Sequence, residues 1–197
     1  YLKSFNSVAY GGNIQDYKEK VGAIAGVGGV KVYPVWNGGG TVKVVFSTSD
    51  NKPPATEKIQ EVQTLVDPVT NAGQGLGIAP IGHRVTVLGV KSKAVNIAFT
   101  PTFKSGTLES HLEQIQTIAK AYFDELNASW EDTQTATLKS YSDTGIIVRL
   151  SQIESRIMGV GDMIDIEGMT LNGTSKNLVL QPDELAELGT ISEASTS

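Results

Sequence analysis

The 197-residue sequence contains no cysteine, which excludes disulfides and every metal site built on thiolates. Histidine is nearly as scarce. His83 and His111 are the only two, and neither lies in a His-Glu-x-x-His arrangement or beside a second ligand at helical spacing, so both read as structural or solvated side chains rather than ligands of a transition metal. Arginine occurs only at positions 84, 149 and 156, and the lysines are scattered through a chain of net charge −5. Nucleic-acid binders instead gather cations on one face, which sets nucleic acid aside as the main partner. The longest apolar-looking stretch without charge, residues 21–30, is rich in glycine and alanine and far short of the roughly 18 residues a membrane-spanning helix needs. Its small-apolar composition also suits a membrane-inserting segment, but a helix end running into a strand explains the same residues. The opening Tyr-Leu-Lys-Ser-Phe-Asn has neither a basic leader nor an apolar core, and a first residue that is not Met reads as part of a longer polypeptide.

With 40% hydrophobic residues the chain can bury a core. Ile14, Tyr17, Val21, Ile24 and Ala25 recur at helical spacing and stop at Gly26, Gly28 and Gly29. Val30, Val32 and Val35, then Val42, Val44, Val45 and Phe46, are β-rich runs around Asn37-Gly38-Gly39-Gly40, which predicts a hairpin. Pro53-Pro54 opens a second helix with Ile59, Val62 and Val66 on one stripe. Asp67-Pro68 closes it, because a residue before proline leaves the helical region. A polar, glycine-rich link over 70–77 precedes an alternating strand over 83–90. The second half restarts with Val95, Ile97 and Phe99 as a strand. The strongest helical pattern follows, Leu108, Leu112, Ile115, Ala119, Tyr122 and Leu126, with Glu109, Glu113, Gln116 and Lys120 opposite. Residues 127–144 are polar and read as a long loop. A strand over 146–150 leads to Ser151-Gln-Ile-Glu154, a capping-box pattern opening a short helix. Strands at 163–166 and 178–180 then flank Asn172-Gly173 as a second hairpin.

A weak internal echo links the halves. Ile24-Ala-Gly-Val-Gly-Gly-Val and Ile157-Met-Gly-Val-Gly-Asp-Met each precede a strand, an Asn-Gly turn and another strand, which suits either a duplication or convergent turn chemistry. The expected fold class is α+β: two small units, each a mixed or antiparallel sheet with hairpins packed on one or two helices. The expected domains are 1–92 and 93–191, divided where a strand ends in the charged stretch 91–93, with 192–197 as a tail.

Patterns that would carry chemistry are mostly missing. There is no Gly-x-Ser-x-Gly elbow. Gly73-Gln-Gly75-Leu-Gly77 has two glycines of a dinucleotide loop, but Pro80 stands where the following helix should begin. The cluster 26–29 follows a helix and precedes a strand, the reverse of a phosphate-binding order. Asp162, Asp165 and Glu167 lack calcium-loop spacing; with Asp165 and Glu167 on one strand face and Asp162 on the other, they read as a solvated face. Asn127-Ala-Ser129 and Asn172-Gly-Thr174 are formal glycosylation sequons, meaningful only on a secreted chain. No cofactor, metal or catalytic residue is expected.

Three segments carry a resemblance: residues 32–45 (VYPVWNGGGTVKVV), 59–68 (IQEVQTLVDP) and 77–87 (GIAPIGHRVTV). It continues through Val95-Asn-Ile-Ala, the long amphipathic helix, Leu171-Asn-Gly-Thr, and Asn177-Leu-Val-Leu-Gln-Pro-Asp-Glu-Leu. Together these resemble the baseplate J-like proteins of contractile phage tails, in order and over nearly the whole chain. Members of that family are typically longer at the N-terminus. The resemblance implies a non-enzymatic wedge component of a phage or prophage baseplate, assembled around a central hub. Its partners would be other baseplate proteins and further copies of itself, with no small-molecule substrate, nucleic acid or membrane insertion. It would reside in the virion tail after a cytoplasmic stage. The motif residues take structural parts: Trp36, Asn37, Gly38 and Gly40 at the hairpin turn, Asp67 and Pro68 at a helix stop, Pro80 and Gly82 at a strand entry, and Asn172 and Gly173 at the second turn. Gly39 stands where relatives often carry proline. Many strand edges would suit a protein that works by making contacts. Trp36 and Trp130 are expected mainly as core residues. The competing expectation is a small-ligand or hydrolytic α+β domain using the loop 70–77.

Overall fold

The computed structural model describes residues 11–137 and 140–194. They form two compact units: residues 11–91 with 130–144, and residues 92–129 with 145–194. The fold is α+β.

In the first unit, α1 (Ile14–Gly22) starts at Asn13, whose side chain accepts from Asp16 N at 2.7 Å. This is the N-cap bond that satisfies one otherwise orphaned helix donor. The helix ends four residues before Gly26, shorter than its apolar spacing suggests. β1 (Val27–Pro34) and β2 (Thr41–Thr48) pair antiparallel, as the hairpin pattern predicts. Gly28 sits where the register of that pair shifts. A Cβ there would lie 2.3 Å from Thr48 O, so only glycine lets the strands close. α2 (Thr56–Val66) crosses over to β3 (Arg84–Gly89), which pairs parallel with β2. The helix stops at Asp67, whose φ of −152° is extended, as the following Pro68 requires. Tyr17, Val21, Val30, Val32, Val44, Phe46, Val62 and Val66 form one core with Val85 and Val87. The stripe read from α2 faces that core.

Of residues 127–144, expected as a long loop of the second domain, 127–128 end α3 (Leu108–Ala128), and the described residues of 130–144 form short elements that belong to the first unit. A 3-10 turn, Glu131–Thr133, leads into β5 (Gln134–Ala136), paired antiparallel with β6 (Tyr141–Asp143). Trp130, at 1% exposure, is a core residue as expected.

In the second unit the central strand β4 (Lys91–Phe103) is flanked by β10 (Glu184–Glu193) and β8 (Met163–Leu171). β4 is longer than the Val95–Ile97–Phe99 alternation, although those three residues are fully buried as the period demands. α3 (Leu108–Ala128) packs on β10 and on α4 (Leu150–Ile157). α4 begins at Leu150 with Arg149 as N-cap, so the Ser151–Glu154 capping box does not form. A capping box forms instead at the start of the long helix, where Thr107 N donates to Ser110 Oγ at 2.9 Å. Ser192, expected in a tail, lies in β10, and Ala194 N still donates to Phe99 O. Residues 195–197 fall outside the described residues.

The second hairpin is corrected. Asn172 and Gly173 do form a tight two-residue turn with φ of 49° and 76°, closed by reciprocal bonds between Leu171 and Thr174. The flanking strands nevertheless part: β8 pairs with β4, whereas β9 (Leu178–Val179) pairs with β7 (Ile147–Val148). Asn172 explains the parting. Its Oδ1 accepts from Asn96 N at 2.8 Å and its Nδ2 donates to Ala94 O at 3.2 Å, which fastens the turn to β4. The internal echo therefore covers a helix, a glycine turn and a strand, but not a second hairpin.

Gly39 has open space where a Cβ would stand and lies outside the left-handed region. Gly39→Ala should therefore raise stability by about 0.4–1 kcal/mol through the unfolded chain's entropy, read as a higher denaturant midpoint at unchanged slope.

Candidate functional site

The expected structural residues gather at one end of the first unit's sheet, except Asn172 and Gly173, which belong to the second unit. β1 ends at Pro34 rather than continuing through Val35. Val35 takes φ 56°, a left-handed conformation that costs a β-branched residue about 1–2 kcal/mol. The bend is held by Val35 N to Thr41 O at 2.7 Å, Asn37 N to Thr41 Oγ1 at 3.0 Å and Thr41 Oγ1 to Gly38 O at 2.7 Å. It leaves Val35 64% and Trp36 44% exposed, so Trp36 is not the core residue expected of it. Lys43 Nζ lies 4.2 Å above the Tyr33 ring and 5.7 Å from that of Trp36. Gly40 O accepts from Arg84 N at 2.8 Å, which ties this loop to the strand entry prepared by Pro80 and Gly82.

Asp67 is more than a helix stop. It is 1% exposed, and its carboxylate accepts from Gly73 N at 3.0 Å and Val85 N at 2.9 Å. One turn earlier, Gln63 donates to Asp67 O and Val85 O at 2.7 and 2.9 Å and accepts from Val87 N at 2.8 Å. Two side chains thus occupy the open edge of β3 and fix the loop 70–77. Within that loop, Asn71 N, Gly73 N and Gln74 N donate to Pro68 O, Asp67 Oδ1 and Asn71 O, and just past it Ile78 N and Gly82 N donate to Leu65 O and Gly73 O.

The opposite sheet edge is closed by an assembly that no motif announces. Gln134 Oε1 accepts from Val32 N at 3.0 Å, and Tyr141 OH donates to Val32 O at 3.1 Å. Lys31, with no exposed surface, places Nζ 2.8 Å from Asp143 Oδ1, 2.7 Å from Thr133 Oγ1 and 4.6 Å from the Trp130 ring centroid. Tyr33 OH donates to Asp143 Oδ2 at 2.6 Å. Burial, aided by the Asp143 charge and partly offset by the Gln134 bond, pushes the Tyr141 hydroxyl up to about 12. It therefore remains a neutral donor.

The sheet edges expected as contact surfaces are accordingly blunted. In the second unit, Asn127 Oδ1 and Nδ2 bond Ala186 N and O at 2.9 Å each on β10. The register of β8 shifts twice against β4, and Ile166 N is taken by the Asp165 carboxylate at 2.9 Å.

His83 Nδ1 lies 2.9 Å from Tyr17 OH, and the two rings stack with centroids 6.0 Å apart. His111 stacks on Phe103 at 4.3 Å and sits 3.0 Å from Thr107 O. Both make local structural contacts. Asp165 and Glu167 are exposed, Asp162 accepts from Ser105 Oγ, and no group of three or more acids or histidines able to hold a metal is found among the described residues. No helix among them is long and apolar enough to cross a membrane. An open groove of about 420 Å³ beside α1 is lined by Gln15, Lys18, Glu19, Glu131, Asp132 and Thr135 among others, with Lys18 paired to Glu131 at 3.3 Å.

Asp16 holds the start of α1. Burial by itself would raise its carboxyl, but Gly12 N at 2.9 Å and Lys20 Nζ at 3.0 Å outweigh that and hold it below the usual value. A lowered folded pKa means that the carboxylate's contribution is full above the ordinary value of about 4 and is lost as pH falls through the folded value. Asp16→Asn should cost about 1 kcal/mol at pH 7 and flatten the acid limb of the stability curve, read from denaturant midpoints between pH 7 and 2.

These observations define a two-unit α+β protein whose polar side chains pin loops and strand edges. The Baseplate J-like central domain matches residues 9–89 and the Baseplate J-like C-terminal domain matches residues 95–193, so the chain belongs to the Baseplate J-like family. It is 32% identical over 191 residues to the phage-like element PBSX protein XkdT of Bacillus subtilis strain 168, a match covering 97% of this chain and 50% of XkdT. It is 35% identical over 94 residues to baseplate protein gp47 of Escherichia phage Mu, covering 44% of this chain and 25% of gp47. The chain thus spans about half the length of XkdT, and less of gp47. A chain of the anti-feeding prophage baseplate superposes with a TM-score of 0.46 at 9% identity, covering 77% of this chain and 29% of that one.

Proposed function

We propose that this chain is a structural component of a phage or prophage contractile-tail baseplate. It would build wedges around the central hub by contacts with other baseplate proteins and with further copies of itself, in the virion tail after a cytoplasmic stage. The observation that carries the reading is the succession of two Baseplate J-like domains, central then C-terminal, along residues 9–193. The geometry supports it. In the glycine-rich loop that would serve a ligand-binding or hydrolytic domain, the Gly73 and Gln74 amides are taken by Asp67 and Asn71, and both histidines are engaged in structural contacts.

The test is quantitative mass spectrometry of tail-like particles purified after induction of the bacterium carrying the gene. A fixed copy number of about six or twelve per particle is expected for a ring-forming subunit. Particles that assemble without the polypeptide would refute the role.

A further inference from the structure

We infer that the loop end of the first unit is a docking site for an apolar, carboxylate-bearing segment of another tail protein; the inference rests on the baseplate reading above. With the sheet edges blunted by Gln63, Asp67, Gln134 and Tyr141, a partner cannot readily add a strand to this unit, which leaves side-chain surface. Val35, Trp36, Leu76 and Ile81 are 64, 44, 65 and 83% exposed. Their loops are joined by bonds from Arg84 N to Gly40 O and from Gly82 N to Gly73 O, and Ile81 lies against Gly75. These apolar groups are therefore presented by a preformed surface, and Val35 is held there in an unfavourable conformation that the chain keeps.

Beside them is a cavity of about 120 Å³, walled by Val32, Pro34, Val35 and Val42, with Tyr17 and His83 also lining it. That volume suits one aliphatic or aromatic side chain, the kind of anchor on which interfaces concentrate their energy. The charge pattern selects the occupant. In a chain with 21 acidic residues, segments 31–49 and 68–84 carry none, while Lys43 and Arg84 stand at the patch. The matching segment inserts one apolar side chain and sets carboxylates beside those two cations.

The probe is the peptide acetyl-Glu-Asp-Phe-Leu-Asp-Glu-amide, titrated into the full chain with amide shifts and tryptophan fluorescence as readouts. Saturable binding is expected, with shifts confined to residues 33–43 and 74–84. Binding should weaken at least about tenfold when Phe-Leu becomes Ala-Ala or the acids become lysines, and likewise in the Trp36→Ser and Ile81→Ser variants, whose exposed positions leave the melting temperature unchanged. Equal binding of the lysine peptide, shifts elsewhere, or no binding at millimolar peptide overturns the proposal. Trp36-dependent capture by phosphatidylglycerol vesicles in place of the peptide assigns the surface to lipid. Binding that requires deletion of residues 1–10 assigns it to the chain's own N-terminal segment. In particles, Ile81→Ser should fall well below the wild-type copy number; wild-type incorporation overturns the surface while leaving the baseplate role intact. Absence of the wild-type chain from particles refutes that role, and the peptide titration still decides the surface.

Discussion

Lys31→Met should destabilise the first unit by about 3–5 kcal/mol, measured by denaturant unfolding at pH 7, because it leaves the Asp143 carboxylate inside the protein without its cation. The side chains of Lys31 and Asp143 are 0% and 5% exposed, and their 2.8 Å contact is supplemented by Thr133 and Tyr33. Removing a charge from such a pair exposes the full desolvation cost of the survivor. Replacing both is a different matter: Lys31→Met with Asp143→Leu removes the charges together, and most of the loss should return. The residual deficit reports Tyr33 and Thr133, whose hydroxyls lose an acceptor and a partner. A double-mutant cycle separates the outcomes. If the single and double variants are equally unstable, the pair acts by packing rather than by charge. The prediction also has a spectroscopic side, since Trp130 lies under the ammonium; its emission should shift red in Lys31→Met if residues 130–144 come away from the sheet.

That pair shows where reading the sequence stopped. Val30-Lys31-Val32 alternates like any half-exposed strand, and its lysine carries no mark of burial. Its partners lie 102 and 112 residues away, beyond the reach of any local pattern. The same distance hid the ordering around β5 and β6, where Thr133, Gln134, Tyr141 and Asp143 bond to β1 while the described polar residues between them stay exposed. Local signals fared better. The Asp67-Pro68 helix stop, the hairpin around Asn37–Gly40, and the burial of Val95, Ile97 and Phe99 follow from φ restriction, turn chemistry and period alone. The Asn172-Gly173 turn was legible as a turn, but the destinations of its strands were not, because Asn172 is fastened to β4. At the candidate site the sequence marked Trp36, Gly40, Pro80 and Gly82. It did not mark the left-handed Val35 or the exposure of Ile81 and Leu76, because an apolar residue in a glycine-rich loop looks the same whether it folds inward or out.

Asp67→Asn should cost about 2–4 kcal/mol, with Asp67→Ala at least as severe, although neither touches the hydrophobic core. The carboxylate receives two backbone donors on separate oxygens, Gly73 N on Oδ1 and Val85 N on Oδ2. Asparagine has one acceptor oxygen, so whichever way its amide turns, one N–H faces another donor at about 3 Å. A charge-assisted bond contributes about 1.5–3 kcal/mol, and a buried donor left unsatisfied costs about 1–3. Alanine forfeits both bonds but avoids the donor–donor clash, which makes the ordering of the two variants informative: Asn close to Ala points to clash, whereas Asn well above Ala means one bond survives undisturbed. Two sites should respond together. Val85 lies in the run of β3 paired with β2 and its N–H is held by Asp67, so its amide should lose hydrogen-exchange protection. Gly73 anchors the loop whose Gly75 lies against Ile81, so the apolar end of the unit should loosen as well, with Trp36 more accessible to iodide quenching. If β3 keeps its protection in Asp67→Ala, Gln63 alone holds that edge through its bonds to Val85 and Val87, and Asp67 serves only to shape the loop.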